Sequence, residues 1–142
     1  CEPPMPRLTI LYTRNLDADP SVDLDALCRR LADAMLAVRD EDDRQVFPTG
    51  GVRVLAFPAA HSAVADGKHD YAFLYMNLRM GRGRSPAVRE RAGQAVSGAA
   101  RDALAPLMER RYVGLTVQVD EGPEVFDDKH STIHPLFRAP QK

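Results

Sequence analysis

Two arginines and a proline are the residues of this chain best suited to chemistry. Arg53 sits among apolar neighbours in the run 52–57, and Arg84 follows the glycine-bearing turn Gly81-Arg82-Gly83. A guanidinium grips a carboxylate through two parallel hydrogen bonds, and a cation beside a carbonyl stabilises the dienolate left when a proton departs from the neighbouring carbon. Two such groups and one base suit an enol diacid. The ordinary alternative for each is a surface or ion-paired arginine. Pro6 follows Met5 directly. If Met5 is the native start and is removed, Pro6 carries a free secondary amine. An α-amino group titrates near about 7.7–8.0, and burial or nearby cations push it lower, so part of it is a neutral base near pH 7. With its nitrogen acylated, Pro6 is instead a proline at the start of a strand, an ordinary place for one. His61, His69, His130 and His134 match no metal-ligand spacing and read as polar or structural. The glycine turn is too short for a dinucleotide or phosphate loop.

The elements that must hold these residues can be read from apolar spacing. Leu8, Ile10 and Tyr12 alternate with Thr9 and Leu11, which gives a strand starting just after Pro6. A helix over 22–39 follows, capped by Asp19 or Ser21, with Leu24, Leu27, Cys28, Leu31, Met35 and Val38 on its inner stripe. The acidic stretch 40–45 reads as a solvated surface insertion, and 52–57 as a second strand. A third strand over 70–80 carries bulk on both faces. After it, Ser85 and Pro86 open a helix to about Met108, with a small-residue inner face of Val88, Ala92, Ala95, Val96, Ala99 and Ala103. Pro106 should kink its last turn. A fourth strand over 112–119 completes the pattern, and Ile133, Leu136 and Phe137 are possible docking residues in a loop-like tail. The order is strand, helix, strand, twice. Right-handed crossovers would give an α+β fold with a four-stranded mixed sheet and both helices on one face. Apolar residues on the sheet's second face point to its burial in an oligomer.

Composition narrows the function classes. The 142 residues suit one domain, read here as 6–142 with residues 1–5 an extension or a mis-assigned start. Nineteen basic against 20 acidic side chains, in no long block of one sign, argue against nucleic acid or an anionic membrane as partner. Two cysteines form neither a disulfide framework nor a metal cluster, which fits a reducing cytoplasm. No apolar run is long enough for a membrane-spanning helix.

Five segments together carry a resemblance: PTGGVR around Arg53, ADGKHDYAF before the third strand, GRGRS around Arg84, the stretch 106–111, and HPLF at 134–137. From Pro6 onward the chain resembles the 5-carboxymethyl-2-hydroxymuconate isomerases of the tautomerase superfamily, most strongly over 47–115. That resemblance implies a duplicated β-α-β tautomerase-like fold, a homotrimer with its sheets around a central barrel-like core, and neither metal nor organic cofactor. It implies Pro6 as the catalytic base, and Arg53 and Arg84 as the residues that bind and polarise a dicarboxylate or tricarboxylate enol. The activity implied is a 1,3-proton shift on 5-carboxymethyl-2-hydroxymuconate in homoprotocatechuate breakdown. Two alternatives stand beside it: a tautomerase acting on another 2-hydroxydienoate or phenylpyruvate-like enol, and a non-catalytic anion-binding or structural protein of the same fold. The departure from the family pattern is the five residues ahead of Pro6.

Overall fold

Strict alternation over Arg7–Thr13 produces the first strand, β1, whose Leu8 and Ile10 are wholly buried while Leu11 faces out. This computed structural model describes residues 6–122, 126, 128 and 130–137. The expectation for residues 1–5 falls outside them. The elements after β1 are α1 (Leu24–Leu36), β2 (Arg53–Ala59), β3 (Ala72–Met80), α2 (Pro86–Arg110) and β4 (Val113–Glu121), with short 3-10 turns at Arg14–Leu16, Thr49–Gly51 and His134–Phe137.

The sheet order is β2-β1-β3-β4, with β1 parallel to β2, antiparallel to β3, and β3 parallel to β4. This is the expected mixed sheet from two β-α-β units. Ala72, Leu74, Met76, Leu78 and Met80 of β3 share a face with Leu8, Ile10 and Tyr12, and all are buried in one core with the inner stripes of both helices. Residues of the other parity form a face that no described helix covers. Leu74 is central to the core and fully buried. Leu74→Ala should therefore destabilise the fold by roughly 2–5 kcal/mol, read as a lower urea midpoint at unchanged slope.

Several local expectations are corrected. The helix expected over 22–39 is shorter, and Asp23 caps it by accepting from the Ala26 amide at 3.0 Å. Asp19 instead closes a tight turn with Ser21 and pairs with Arg111 at 3.0 Å, and the Ser21 contacts chiefly hold its carboxyl well below the usual range. In α2 the fully buried positions are Ala92, Val96 and Ala100, with Val88, Leu104 and Leu107 nearly so, while Ala95, Ala99 and Ala103 pack only partly. Gly93 leaves room at Val119, 3.3 Å from where a Cβ would stand, so α2 lies close on β4. The helix also runs four residues past Pro106. Tail residues Ile133, Leu136 and Phe137 do not dock; they are 47%, 76% and 55% exposed. None of the described helices is long and apolar enough to cross a membrane.

Candidate active site

The register brings the three candidate residues to one end of the sheet. Pro6 is buried immediately before β1, whose first residue, Arg7, pairs with Arg53 at the start of β2 and with Arg79 near the end of β3. Arg84 follows that same end of β3 by a short loop. Gly83 turns the loop with φ +98, a conformation L side chains rarely adopt, which is why glycine stands before Arg84. Ser85 then caps α2 by accepting from the Val88 amide at 3.2 Å, with Pro86 next as the first helical residue.

Both guanidiniums are half-buried and anchored at one nitrogen. Arg53 Nη1 donates to the carbonyl oxygens of Gly50 at 2.6 Å and Val52 at 3.3 Å. Arg84 Nη2 donates to the Val46 carbonyl at 2.8 Å. Neither forms a salt bridge among the described residues, so the ion-paired reading is not realised there. A guanidinium tied by one corner to a neutral carbonyl keeps its charge and most of its donor fork available to an anion. Along the uncovered sheet face Arg53, Arg7 and Arg79 are successive register neighbours across β2, β1 and β3. Asp120 neighbours Arg79 on β4 and accepts from Asn77 at 2.8 Å.

The acidic stretch 40–45 is largely exposed, as expected of a solvated surface segment, and it is also tied to this corner. Arg39 and Gln45 bridge across a tight turn in which the Asp40 carboxylate accepts from the amides of Asp42 and Arg44, at 2.9 and 3.0 Å. The turn is tied to α2 by Ser85 Oγ donating to Glu41 at 3.2 Å and by Arg91 donating to the Arg39 carbonyl at 3.2 Å. Asp40 is held below the usual carboxylate range, first by the Arg44 amide and in smaller part by the charge of Arg84. The carboxylates thus sit beside Arg84 without neutralising it through a direct pair. Among the described residues no group of three or more His, Cys, Asp or Glu is arranged to hold a metal ion. An open cleft of about 330 Å³ between Ser21–Arg30 and Ala103–Arg110 lies at the far end of the helix pair, away from Pro6.

Pro6 thus shares one sheet end with two guanidiniums that form no salt bridge among the described residues, an arrangement open to an anion. The family described as 5-carboxymethyl-2-hydroxymuconate isomerase matches residues 6–137. The chain belongs to that family. The 5-carboxymethyl-2-hydroxymuconate Delta-isomerase of Escherichia coli is 33% identical over 93 residues, 66% of this chain and 74% of that one. A crystal structure of a 5-carboxymethyl-2-hydroxymuconate delta-isomerase superposes with a TM-score of 0.91 at 56% identity, covering 97% of this chain and 96% of that chain. A 5-carboxymethyl-2-hydroxymuconate isomerase from Deinococcus radiodurans R1 gives a TM-score of 0.83 at 31% identity, over 96% and 97% of the two chains.

In this isomerase-family chain the residue types of Arg53 and Arg84 are conspicuous, but the groups that hold them are not. The Val46 and Gly50 carbonyls belong to segments with no chemical signature, although the helix-breaking Pro48-Thr49-Gly50-Gly51 run marks a turn just before Arg53. His134, set aside as structural, packs on that turn: a Cβ added to Gly50 would lie 2.9 Å from His134 Cα.

Proposed function

We propose that this chain is a cofactor-independent isomerase that moves a proton across 5-carboxymethyl-2-hydroxymuconate or a closely related 2-hydroxydienoate in the breakdown of aromatic compounds. The carrying observation is that Pro6, Arg53 and the Arg84 corner meet at one sheet end with neither guanidinium in a described salt bridge. In this reading residues 1–5 are absent from the working enzyme and the Pro6 amine is the base. It takes the proton of the 2-hydroxyl and returns one to C-5, so the substrate gains and loses nothing but the position of a proton and its double bonds. Arg53 and Arg84 hold the carboxylates and stabilise the dienolate through which the proton shift passes. The test is decay of the dienol absorbance when purified, mass-verified protein is mixed with 5-carboxymethyl-2-hydroxymuconate. Catalysed decay with no added metal or organic cofactor is expected; decay at the buffer rate would sink the proposal and leave an anion-binding protein.

The reading includes a homotrimer. Its support is the uncovered sheet face, where Leu11, Leu55 and Phe57 are 51%, 45% and 48% exposed and stand in register on β1 and β2. Adjacent exposed apolar residues on a sheet are a surface that association would bury. Leu55→Asp should shift the mass found by light scattering from three chains toward one, while a trimer unmoved by the substitution would place the interface elsewhere. We also assign the enzyme to a reducing cytoplasm, in keeping with the half-buried free Cys28, whose thiol burial pushes up and so away from the reactive thiolate.

A further inference from the structure

The tail of the described chain ends in a turn that touches the rest of the molecule in an unusual way. Ser131 Oγ accepts from the Ile133 amide at 3.0 Å and the His134 amide at 3.4 Å, which sets the entry to the 3-10 turn His134–Phe137. The turn's apolar members, Leu136 and Phe137, face outward, and it is His134 that lies on Gly50. Both the main chain and the ring of His134 press on Gly50. From the position a Gly50 Cβ would occupy, the nearest atoms are His134 Cα at 2.9 Å, its backbone nitrogen at 3.2 Å and its Nδ1 at 3.2 Å. Only a glycine lets the two backbones meet so closely. The imidazole Nε2 is buried and makes no hydrogen bond among the described residues, so shape rather than polar bonding seats the ring.

What lies on the other side of Gly50 gives the contact a function. The Gly50 carbonyl is the nearest acceptor for Arg53 Nη1, at 2.6 Å, and it fixes one corner of the guanidinium. A continuous path of contacts runs from the tail through His134 to Gly50 and on to Arg53. We propose that His134 is a positioning residue for Arg53: seated on Gly50, it holds the Thr49–Gly51 turn in place and with it the carbonyl that aims the guanidinium at the substrate. The proposal rests on Arg53 being an anion-binding residue of the isomerase described above.

Gln45 Nε2 ties the start of the turn, donating to the Phe47 carbonyl at 2.7 Å and Thr49 Oγ1 at 3.0 Å, and the Gly51 amide donates to the Pro48 carbonyl at 2.9 Å. Gly50 itself has no side chain to hold it, and glycine backbones lose the most conformational freedom on ordering, so His134 braces the part those bonds do not reach. A misplacement of about 1 Å can cost as much as roughly 10²-fold in rate, so a modest loosening of Gly50 is enough to be measured.

The experiment is a kinetic double-substitution cycle with a substrate-free companion. His134→Ala is expected to lower kcat on 5-carboxymethyl-2-hydroxymuconate roughly tenfold, with KM and the melting temperature nearly unchanged, because it loosens one donor and leaves the core intact. In an Arg53→Ala background the same change should cost less than about twofold, since there is no longer a guanidinium to aim. Gly50→Ala, whose backbone φ suits alanine, should reproduce the kcat loss by pushing the His134 main chain away. In parallel, amide hydrogen exchange of residues 49–53 should quicken in His134→Ala without any substrate present. An equal loss from His134→Ala in both backgrounds, or unchanged exchange over 49–53, would overturn the positioning role. Inactive wild-type protein would count against the isomerase reading alone, and the exchange arm would still decide whether His134 braces the turn.

Discussion

A chain that begins at Pro6 is expected to isomerise 5-carboxymethyl-2-hydroxymuconate roughly 10²–10⁴-fold faster than one that retains residues 1–5, the range a positioned general base supplies. The reason is electronic. With Met5 attached, the Pro6 nitrogen is part of a tertiary amide, its lone pair is shared with the carbonyl, and it can neither accept a proton nor hold one. Freed, it is a secondary amine at the buried start of β1, one register step from the guanidinium-bearing Arg53 and beside Arg7. Burial and neighbouring cations both disfavour the ammonium form, so its pKa should fall below the ordinary α-amino value of about 7.7–8.0. With Pro6 as the proposed base the neutral amine would be the active form, so kcat/KM should rise with pH and level off above that lowered pKa. Both forms can be made with a cleavable leader and checked by intact mass before assay. Pro6→Ala with a free terminus still offers an amine and should retain more activity than the five-residue extension allows. Equal rates for the free and extended chains would remove Pro6 from the mechanism.

The sequence shows periodicity far better than it shows contact. β1 and β3 were legible because one face of each is buried against helices, and burial on one face writes a period of two into the chain. The same logic over-extended α1. Val38 belongs to the apolar stripe and is buried, yet it lies beyond the helix, where its carbonyl accepts from the Val46 amide to start the acidic turn. Periodicity records which side chains are inside, and hydrogen bonding decides where a helix stops. At the site, residue type was enough to single out Arg53 and Arg84, since a guanidinium at a strand start or on a glycine corner is conspicuous. Type could not show that Arg53 leans on Gly50, that Arg84 leans on Val46, or that Asp40 and Glu41 stand near the second of them. Those partners are mainly backbone atoms, which are the same in every residue. The tail illustrates the same limit, because hydrophobicity nominated Ile133, Leu136 and Phe137 while the contact is made by a histidine with a glycine.

Removing the two guanidiniums should produce different kinetic losses. Arg53 starts the strand that pairs with β1 beside Pro6, so with Pro6 as the proposed base its charge would lie close to the atoms that exchange protons. Charge on the dienolate exists mainly in the transition state, and interactions made only there appear in kcat. Arg53→Ala should therefore lower kcat by roughly 10²–10³-fold, about 2.7–4 kcal/mol, the scale of losing one donor to a developing oxyanion. Arg84 is carried on the corner between β3 and α2, a few residues past the sheet end, and in the proposed mechanism it holds a carboxylate that stays ionised throughout the reaction. Its contact is alike in the ground and transition states, so Arg84→Ala should chiefly raise KM. A charged hydrogen bond is worth about 1.5–3 kcal/mol, which corresponds to roughly 10–150-fold. Lysine at either position keeps the charge but not the fork, and should recover part of each loss. Val46 and Gly50 are both buried, so each truncation leaves a carbonyl short of a donor at a cost of about 1–3 kcal/mol, which is less than the roughly 5–15 kcal/mol that holds a domain folded. Far-ultraviolet circular dichroism of both variants should match the parent. A kcat/KM within twofold of the parent for either alanine variant would remove that arginine from the clamp, and a pure KM effect at Arg53 would mean that it binds the resting carboxylate rather than the charge that forms.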